Sequence, residues 1–388
     1  MIFLDEGEVV RVAHVCLSNL FADGFGYQEN ELVKAHLRQG HDVMILCSTE
    51  TLSSAGKRTY LSPGAYVGEE GAYVVRLPYV AWLPDRIARK VRAVVGAYEC
   101  LVEFNPDAIL FHGTCGWEIG TVARYVADHP KVVAYLDSHS DSYNSARGFF
   151  SRWLLHGIFY KFLISRNVDK YRKVLCISKE VMDFAERVHG IARERLEFFP
   201  LGGQILEDDE YHLRREQKRV ALGVEDSDIV FAVTGRLSKR KKLVDALRAL
   251  SVVKNQRFKV FIAGVMDEDV REEVAGFIEA DSRVRILGWC DAQQLTDLLC
   301  AADVYLQPGT QSATMQHSLC CRCAVILKDY PSHFPFVSSN GWLFSDFEGL
   351  VAALKEVEGS DLHAMSHNSY LVARDLLDYD AMALRVLT

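Results

Sequence analysis

Short apolar runs recur along the first half of the chain, and each ends in a polar tip. VVRVAHVC gives way to LSNLFADGFGYQEN, and HDVMILCS, PDAILFHG, KVVAYLDSHS and KVLCISKE repeat the form. Between the first two runs, ENELVKAHLRQG sets Leu32, Ala35 and Leu37 at helical spacing, with Gly40 where a helix C-cap would fall. Apolar strands alternating with helical segments predict a doubly wound parallel sheet. In such sheets ligands sit beyond the carboxyl ends of the strands.

A second series repeats the pattern. DIVFAVTGRLS, FKVFIAGV, RVRILGWC, DVYLQPGT and CAVILKDY read as strands, with KKLVDALRALSVVKN, EDVREEVAGFIEA and DAQQLTDLLCAAD as helices between them. PLGGQILEDDE, residues 200–210, is polar and glycine-containing and reads as an interdomain hinge. The expected fold is α/β, with two facing doubly wound (Rossmann-like) domains over 1–203 and 204–365. The last stretch reads as helices, and the C-terminal segment 366–388 is expected to cross back onto the first domain.

Composition narrows the picture. A chain of 388 residues exceeds one ordinary core. A net charge of −8 argues against a nucleic-acid partner. MIFLDEGEVVRVAHVCLSNL carries no basic leader, and no apolar stretch is long enough to span a bilayer, so a cytoplasmic location is expected. Cys47, Cys176 and Cys300 lie inside apolar runs, and Cys320, Cys321 and Cys323 lack a second ligand pair at metal spacing. The cysteines therefore read as packed thiols.

Three stretches carry candidate chemistry. In TGRLSKRKKLVDAL, Gly235 permits close backbone approach, and Arg236 and Lys241 offer a forked donor and a point charge to phosphate oxygens at a helix start. The plainer reading is a solvated basic turn, since Lys239, Arg240 and Lys242 are basic too. In LQPGTQSATMQHSLCCRCAVIL a strand runs into a helix through Gln311, Ser312, Ala313 and Thr314, with Gln316 following. No carboxylate lies between Asp303 and Asp329, which suits an anionic ligand. In YLDSHSDSYNSAR, Asp137, His139 and Asp141 alternate after a strand, and His112 ends the strand before it. These groups suit acid–base work or sugar hydroxyls; a metal set and an Asx-type turn are the alternatives.

The order of these motifs over residues 229–345 resembles the nucleotide-binding half of retaining GT-B glycosyltransferases, in particular family 4. DGFGYQENELVKAHLRQGHDVMIL is similar to the glycine-rich first loop and helix of that family, PDAILFHG to its strand with a cleft-facing histidine, and LGG to its domain connection. The resemblance implies a nucleoside-diphosphate sugar as donor substrate, with no cofactor and no metal, and a glycan or lipid-linked acceptor. It puts Gly235, Arg236 and Lys241 at the diphosphate, Gly24 and Gly26 in a loop that reaches toward donor phosphate or acceptor, Trp289 beside Gly288 at the base, and His112, Asp137 and His139 near the reacting carbon. Gln311, Ser312, Ala313, Thr314, Gln316 and His317 would line the rest of the donor site. Many such enzymes act on lipid-linked acceptors in cell-surface polysaccharide or glycolipid assembly.

The chain also departs from the family. Two glutamates seven residues apart are usual there; here the first would fall near Gly309 and the second at His317. Arg322 and Ala324 replace the usual Gly and Pro. Either amides and hydroxyls substitute for the carboxylates, or the chain is a non-catalytic sugar-nucleotide-binding subunit. A sugar-nucleotide epimerase of the same fold is a further alternative. Finally, residues 147–173 interleave Arg147, Arg152, Lys161, Arg166, Lys170, Arg172 and Lys173 with Phe149, Phe150, Trp153, Phe159, Tyr160 and Phe162. Such a helix suits the anionic face of a membrane, or a core helix with a basic outer side.

Overall fold

The computed structural model describes residues 9–53, 56–140 and 151–388, and the side chains of 151–155 lie outside the description. The chain forms two compact units, Met1–Pro200 with Tyr379–Thr388, and Leu201–Asp378.

Among its described residues the first unit holds ten strands: β1 (Arg11–Cys16), β2 (Asp42–Ser48), β3 (Glu50–Leu52), β4 (Arg58–Tyr60), β5 (Gly64–Val67), β6 (Tyr73–Leu77), β7 (Ala108–Phe111), β8 (Val133–Ser138), β9 (Val174–Cys176) and β10 (Leu196–Phe198). Eight form one sheet in the order β10-β9-β8-β7-β1-β2-β6-β5. All its pairings are parallel except β5 with β6. β3 and β4 form a separate antiparallel pair. The apolar runs read from the sequence are these strands, and β1, β2 and β7 are buried nearly end to end, as a sheet covered on both faces requires.

The second unit is an all-parallel sheet of β11 (Ile229–Thr234), β12 (Phe258–Ala263), β13 (Val284–Gly288), β14 (Val304–Gln307), β15 (Ala324–Lys328) and β16 (Gly341–Phe344), ordered β13-β12-β11-β14-β15-β16. Several of its helices start at a side-chain cap. Asp291 and Gln294 close a reciprocal capping box ahead of Ala292–Ala301. Ser312 accepts from the Met315 amide ahead of Ala313–Cys320.

The units divide after Pro200 and again after Asp378, whereas the sequence placed the boundaries at 203 and 365. The reason lies in how the tail is held. The Gly203 amide donates to the Leu377 carbonyl at 2.7 Å, and the buried Ser369 of helix Leu362–Leu376 donates to the Cys323 carbonyl at 2.6 Å. That helix therefore belongs to the second unit. Only the final helix, Tyr379–Arg385, joins the first, where Met382, Ala383 and Val386 pack with Leu32, Leu110, Leu175 and Phe199.

Among the described residues no helix is long and apolar enough to cross a membrane. Ser151–Tyr160 is π-helical and runs into helix Lys161–Asn167. Its inner side carries the buried Tyr160 and Ile164, while Ile158 and Phe162 stand exposed on the outside and Arg166 lies 4.4 Å over the Phe162 ring. Arg147, Phe149 and Phe150, like Asp141, lie outside the described residues, as do the side chains of Arg152 and Trp153.

Candidate functional site

Two clusters emerge, one in each unit. In the first, β7 and β8 pair in parallel with Phe111 opposite Leu136, so the next residues, His112 and Asp137, emerge side by side. Asp137 Oδ2 lies 2.6 Å from His112 Nδ1, and Asp137 Oδ1 accepts from the Gly113 amide at 2.7 Å. Gly113 has φ +105, and a Cβ there would stand 2.6 Å from Ser18 Cβ, so the turn closes tightly on the end of β1. His139 is more exposed, its Nε2 3.8 Å from Asp137 Oδ2.

Behind His112 runs a chain that the sequence reading did not find. His112 Nε2 lies 3.0 Å from His14 Nδ1, His14 Nε2 lies 3.0 Å from His36 Nδ1, and His36 Nε2 lies 3.0 Å from the Ala383 carbonyl. All three rings are buried. Both ends of the chain are acceptors, a carboxylate and a carbonyl. Four hydrogen bonds need four protons, and three neutral imidazoles bring three.

The protons can be placed from the Ala383 end. His36 Nε2 must donate to the carbonyl, so its Nδ1 accepts from His14 Nε2. His14 Nδ1 then accepts from His112 Nε2, and the fourth proton falls between His112 and Asp137. The shifts agree. Burial alone would lower His112, but the charge and hydrogen bond of Asp137 raise it. Burial would raise Asp137, but His112, then His139, hold it down. Burial, with the neighbouring imidazoles, keeps His14 neutral, and burial brings His36 to about 4. Both directions favour the imidazolium–carboxylate form of the buried pair.

The signal for this chain was available. His14 interrupts an otherwise apolar strand, and His36 shares the inward helical face of Leu32 and Ala35. In the loop between them, Gly24 (φ +73) is conformationally required, whereas Gly26 is exposed and has only Glu31 within reach of a Cβ, at 3.9 Å.

The second cluster lies at the carboxyl ends of β11 and β14. Gly235 has φ +111, and a Cβ on Gly264, just past the neighbouring β12, would sit 1.9 Å from the Gly235 carbonyl oxygen, so the ends of β11 and β12 lie backbone to backbone with no side chain between them. Arg236 is 80% exposed and holds Asp267 only at 3.3 Å, leaving most of its guanidinium to solvent. Lys241 differs from the expectation of an uncommitted point charge. Its ammonium donates to the Thr310 and Gln311 carbonyls at 2.6 and 3.0 Å, which leaves one proton to offer, and burial lowers its pKa to about 8. A Cβ on Gly309 would fall 2.1 Å from the Arg240 carbonyl, so the loop and the basic turn are pressed together.

The helix start is knitted the same way. Ser312 donates to Gln307 Oε1 at 2.6 Å, and Thr314 Oγ1 lies 2.9 Å from the Tyr305 hydroxyl and 3.2 Å from the Thr234 carbonyl. Ala313 is exposed and Gln311 half-buried. Gln316 is fully buried, its Oε1 accepting from the Leu201 amide at 2.9 Å and its Nε2 without a partner among the described residues. His317 Nε2 meets Thr296 Oγ1 at 3.2 Å, and desolvation pulls its pKa to about 4. Gln316 and His317 therefore turn toward their own unit's scaffold. Trp289, after Gly288 (φ +77), stands 70% exposed at the end of β13.

This double constellation has a counterpart among known families. The model of Glycosyltransferase Family 4 matches residues 24–202, and that of Glycosyl transferases group 1 matches 214–365. The chain belongs to the GT-B glycosyltransferases. No curated protein sequence matches it, but solved structures share the fold over nearly the whole length. Alr3699/HepE of Anabaena, solved with UDP, superposes with a TM-score of 0.66 at 13% identity, covering 97% of this chain and 98% of that one. Sucrose-phosphate synthase from Thermosynechococcus elongatus gives 0.63 at 14% identity, with 97% of each chain covered. WaaG, a glycosyltransferase involved in lipopolysaccharide biosynthesis, gives 0.60 at 15%, covering 97% and 98%. In this glycosyltransferase the group 1 match ends at residue 365, inside helix Leu362–Leu376, which the second unit carries on to Leu376.

Proposed function

We propose that this glycosyltransferase moves a hexose from a nucleoside diphosphate to a glycan or lipid-linked acceptor with retention of configuration, in cell-surface polysaccharide or glycolipid assembly. The observation that carries the reading is the pairing of an exposed Arg236 with the side-chain-free backbone approach of Gly235 and Gly264 and the start of helix Ala313–Cys320. A diphosphate laid there meets a forked cation, the last proton of Lys241 and helix amides, all of which stabilise charge on the departing group. The exposed Trp289 offers a stacking face to the base. Neighbours of the same fold were solved with UDP and with UDP-glucose, which favours a uridine nucleotide as the first to try.

The first unit takes the acceptor, with His112, Asp137 and His139 beside the reacting carbon. The acceptor hydroxyl attacks on the face from which the diphosphate leaves, and the leaving oxygen takes its proton. That route needs neither a carboxylate nucleophile nor a metal, and it suits a junction without carboxylates. The outer face of helix Lys161–Asn167, with Lys161, Phe162 and Arg166 exposed, would meet anionic lipid; salt-sensitive flotation with acidic vesicles is the expected result.

Calorimetry with UDP, GDP and ADP tests the donor site. Arg236→Ala should weaken the preferred nucleotide about tenfold or more, the worth of a charge-assisted hydrogen bond. Unchanged affinity would reject the site. The buried Gln316 and the scaffold-bound His317 favour a second reading, a subunit that binds donor without transferring it. It predicts the same nucleotide binding but no sugar release with any acceptor. An epimerase would instead convert the sugar nucleotide with no acceptor added.

A further inference from the structure

Three soft ligands converge in the first unit, none of them a residue assigned to donor or acceptor. Cys115 lies in the loop after β7, His156 in the π-helical stretch Ser151–Tyr160, and His189 ends a second π-helical turn, Ala185–His189. Their ligand atoms all lie within 4.8 Å of one another. Cys115 Sγ is 3.7 Å from His156 Nδ1, and His156 Nδ1 is 3.3 Å from His189 Nε2.

Those separations match the edges of a coordination tetrahedron. With zinc–nitrogen bonds of about 2.0–2.1 Å and a zinc–sulfur bond of about 2.3 Å, two nitrogens stand about 3.3 Å apart and nitrogen and sulfur about 3.6 Å. Hydrogen bonding accounts for the cluster poorly, because Cys115 Sγ and His189 Nε2 both approach the same nitrogen.

The surroundings also suit an ion. His156 and His189 are 4% and 0% exposed, and the Phe184 ring lies edge-on to both. Burial holds His189 down to about 3, so it offers the neutral imidazole that a metal needs. The Thr114 and Ser140 hydroxyls stand 3.8 and 3.9 Å from Cys115 Sγ, on hand for a water at the fourth position. Both histidines come from π-helical turns, which are rare and recur at functional sites.

We propose that Cys115, His156 and His189 bind one zinc ion. It would fasten the loop that carries His112 and Gly113 to the two π-helical turns. Burial pushes the Cys115 thiol up to about 11, so the residue is a thiol at neutral pH in the metal-free protein. Each ion bound therefore forms one zinc–thiolate bond and releases one proton to solvent.

The test is an anaerobic titration of the reduced, chelator-treated full chain with Co²⁺. One equivalent should produce a near-ultraviolet thiolate-to-cobalt band, and added Zn²⁺ should abolish it. Cys115→Ser should lose the band while keeping the far-ultraviolet circular dichroism of the wild type. A second readout needs no variant: with one equivalent of Zn²⁺, Cys115 alone among the ten cysteines should become protected from iodoacetamide in the wild type, with about one proton released per ion. No band in the wild type, a band that survives Cys115→Ser, or labelling of Cys115 unchanged by Zn²⁺ would each overturn the proposal.

Discussion

At the scale of single residues, the proton placed between His112 and Asp137 makes a sharp prediction. Nitrogen NMR of the wild type at pH 7 should find both ring nitrogens of His112 protonated, whereas Asp137→Asn should leave the ring neutral. Asp137→Ala should cost about 1–3 kcal/mol in urea unfolding, because it leaves His112 Nδ1 and the Gly113 amide without their carboxylate partner. Gly26 of the first loop and Gly264 beside Gly235 also separate by effect. Gly26→Ala should leave stability unchanged, since that Cβ would have only Glu31 in reach. Gly264→Ala should fail to accumulate as folded protein, because its Cβ would meet backbone at 1.9 Å and φ is +132. Expression and thermal melting distinguish the pair. In the sequence these glycines look alike; only the path of the neighbouring strand tells them apart.

At the scale of elements, the strands were legible because a parallel sheet covered on both faces leaves uninterrupted apolar runs. The helices at 243–252, 268–280 and 292–301 were equally plain from their spacing. The candidate site was legible only in part. Arg236 and Trp289 stand exposed, whereas Gln316 and His317 meet Leu201 and Thr296. One-dimensional order places a residue on a helix without saying which way it faces, and a helix of eight residues has too few turns for periodicity to decide. The histidine chain was hidden for a different reason, being assembled from β1, helix Gln28–Arg38 and β7, elements far apart in sequence. Gln316→Ala should therefore cost about 1–2 kcal/mol of stability, as a lost buried hydrogen bond does, with little change in nucleotide affinity. Chemical unfolding and calorimetry on the same sample check both halves.

At the scale of the molecule, pH acts through the same buried rings. His36 has a folded pKa of about 4 against an ordinary value near 6.5, and His14, packed between His36 and His112, is lowered as well. The unfolded chain takes up protons at these positions first as pH falls from about 6.5. Stability should therefore drop over that range, at about 2–3 kcal/mol per pH unit for two such groups. His112 has the opposite sign: its raised folded pKa gives a contribution that is full below about 6.5 and lost as pH rises through that higher value. Urea midpoints at pH 7 and 5 should differ in the wild type, and less so in His36→Gln.

The last helix, Tyr379–Arg385, supplies both the Ala383 carbonyl that ends the histidine chain and a wall of the core around Leu110 and Phe199. It is also made only after the whole of the second unit. The first two hundred residues are thus made long before the piece that completes them, and they must wait, partly open, while the second unit is synthesised. Nascent chains halted at residue 378 should be cut by protease within the first unit, and chains carried past residue 388 should resist.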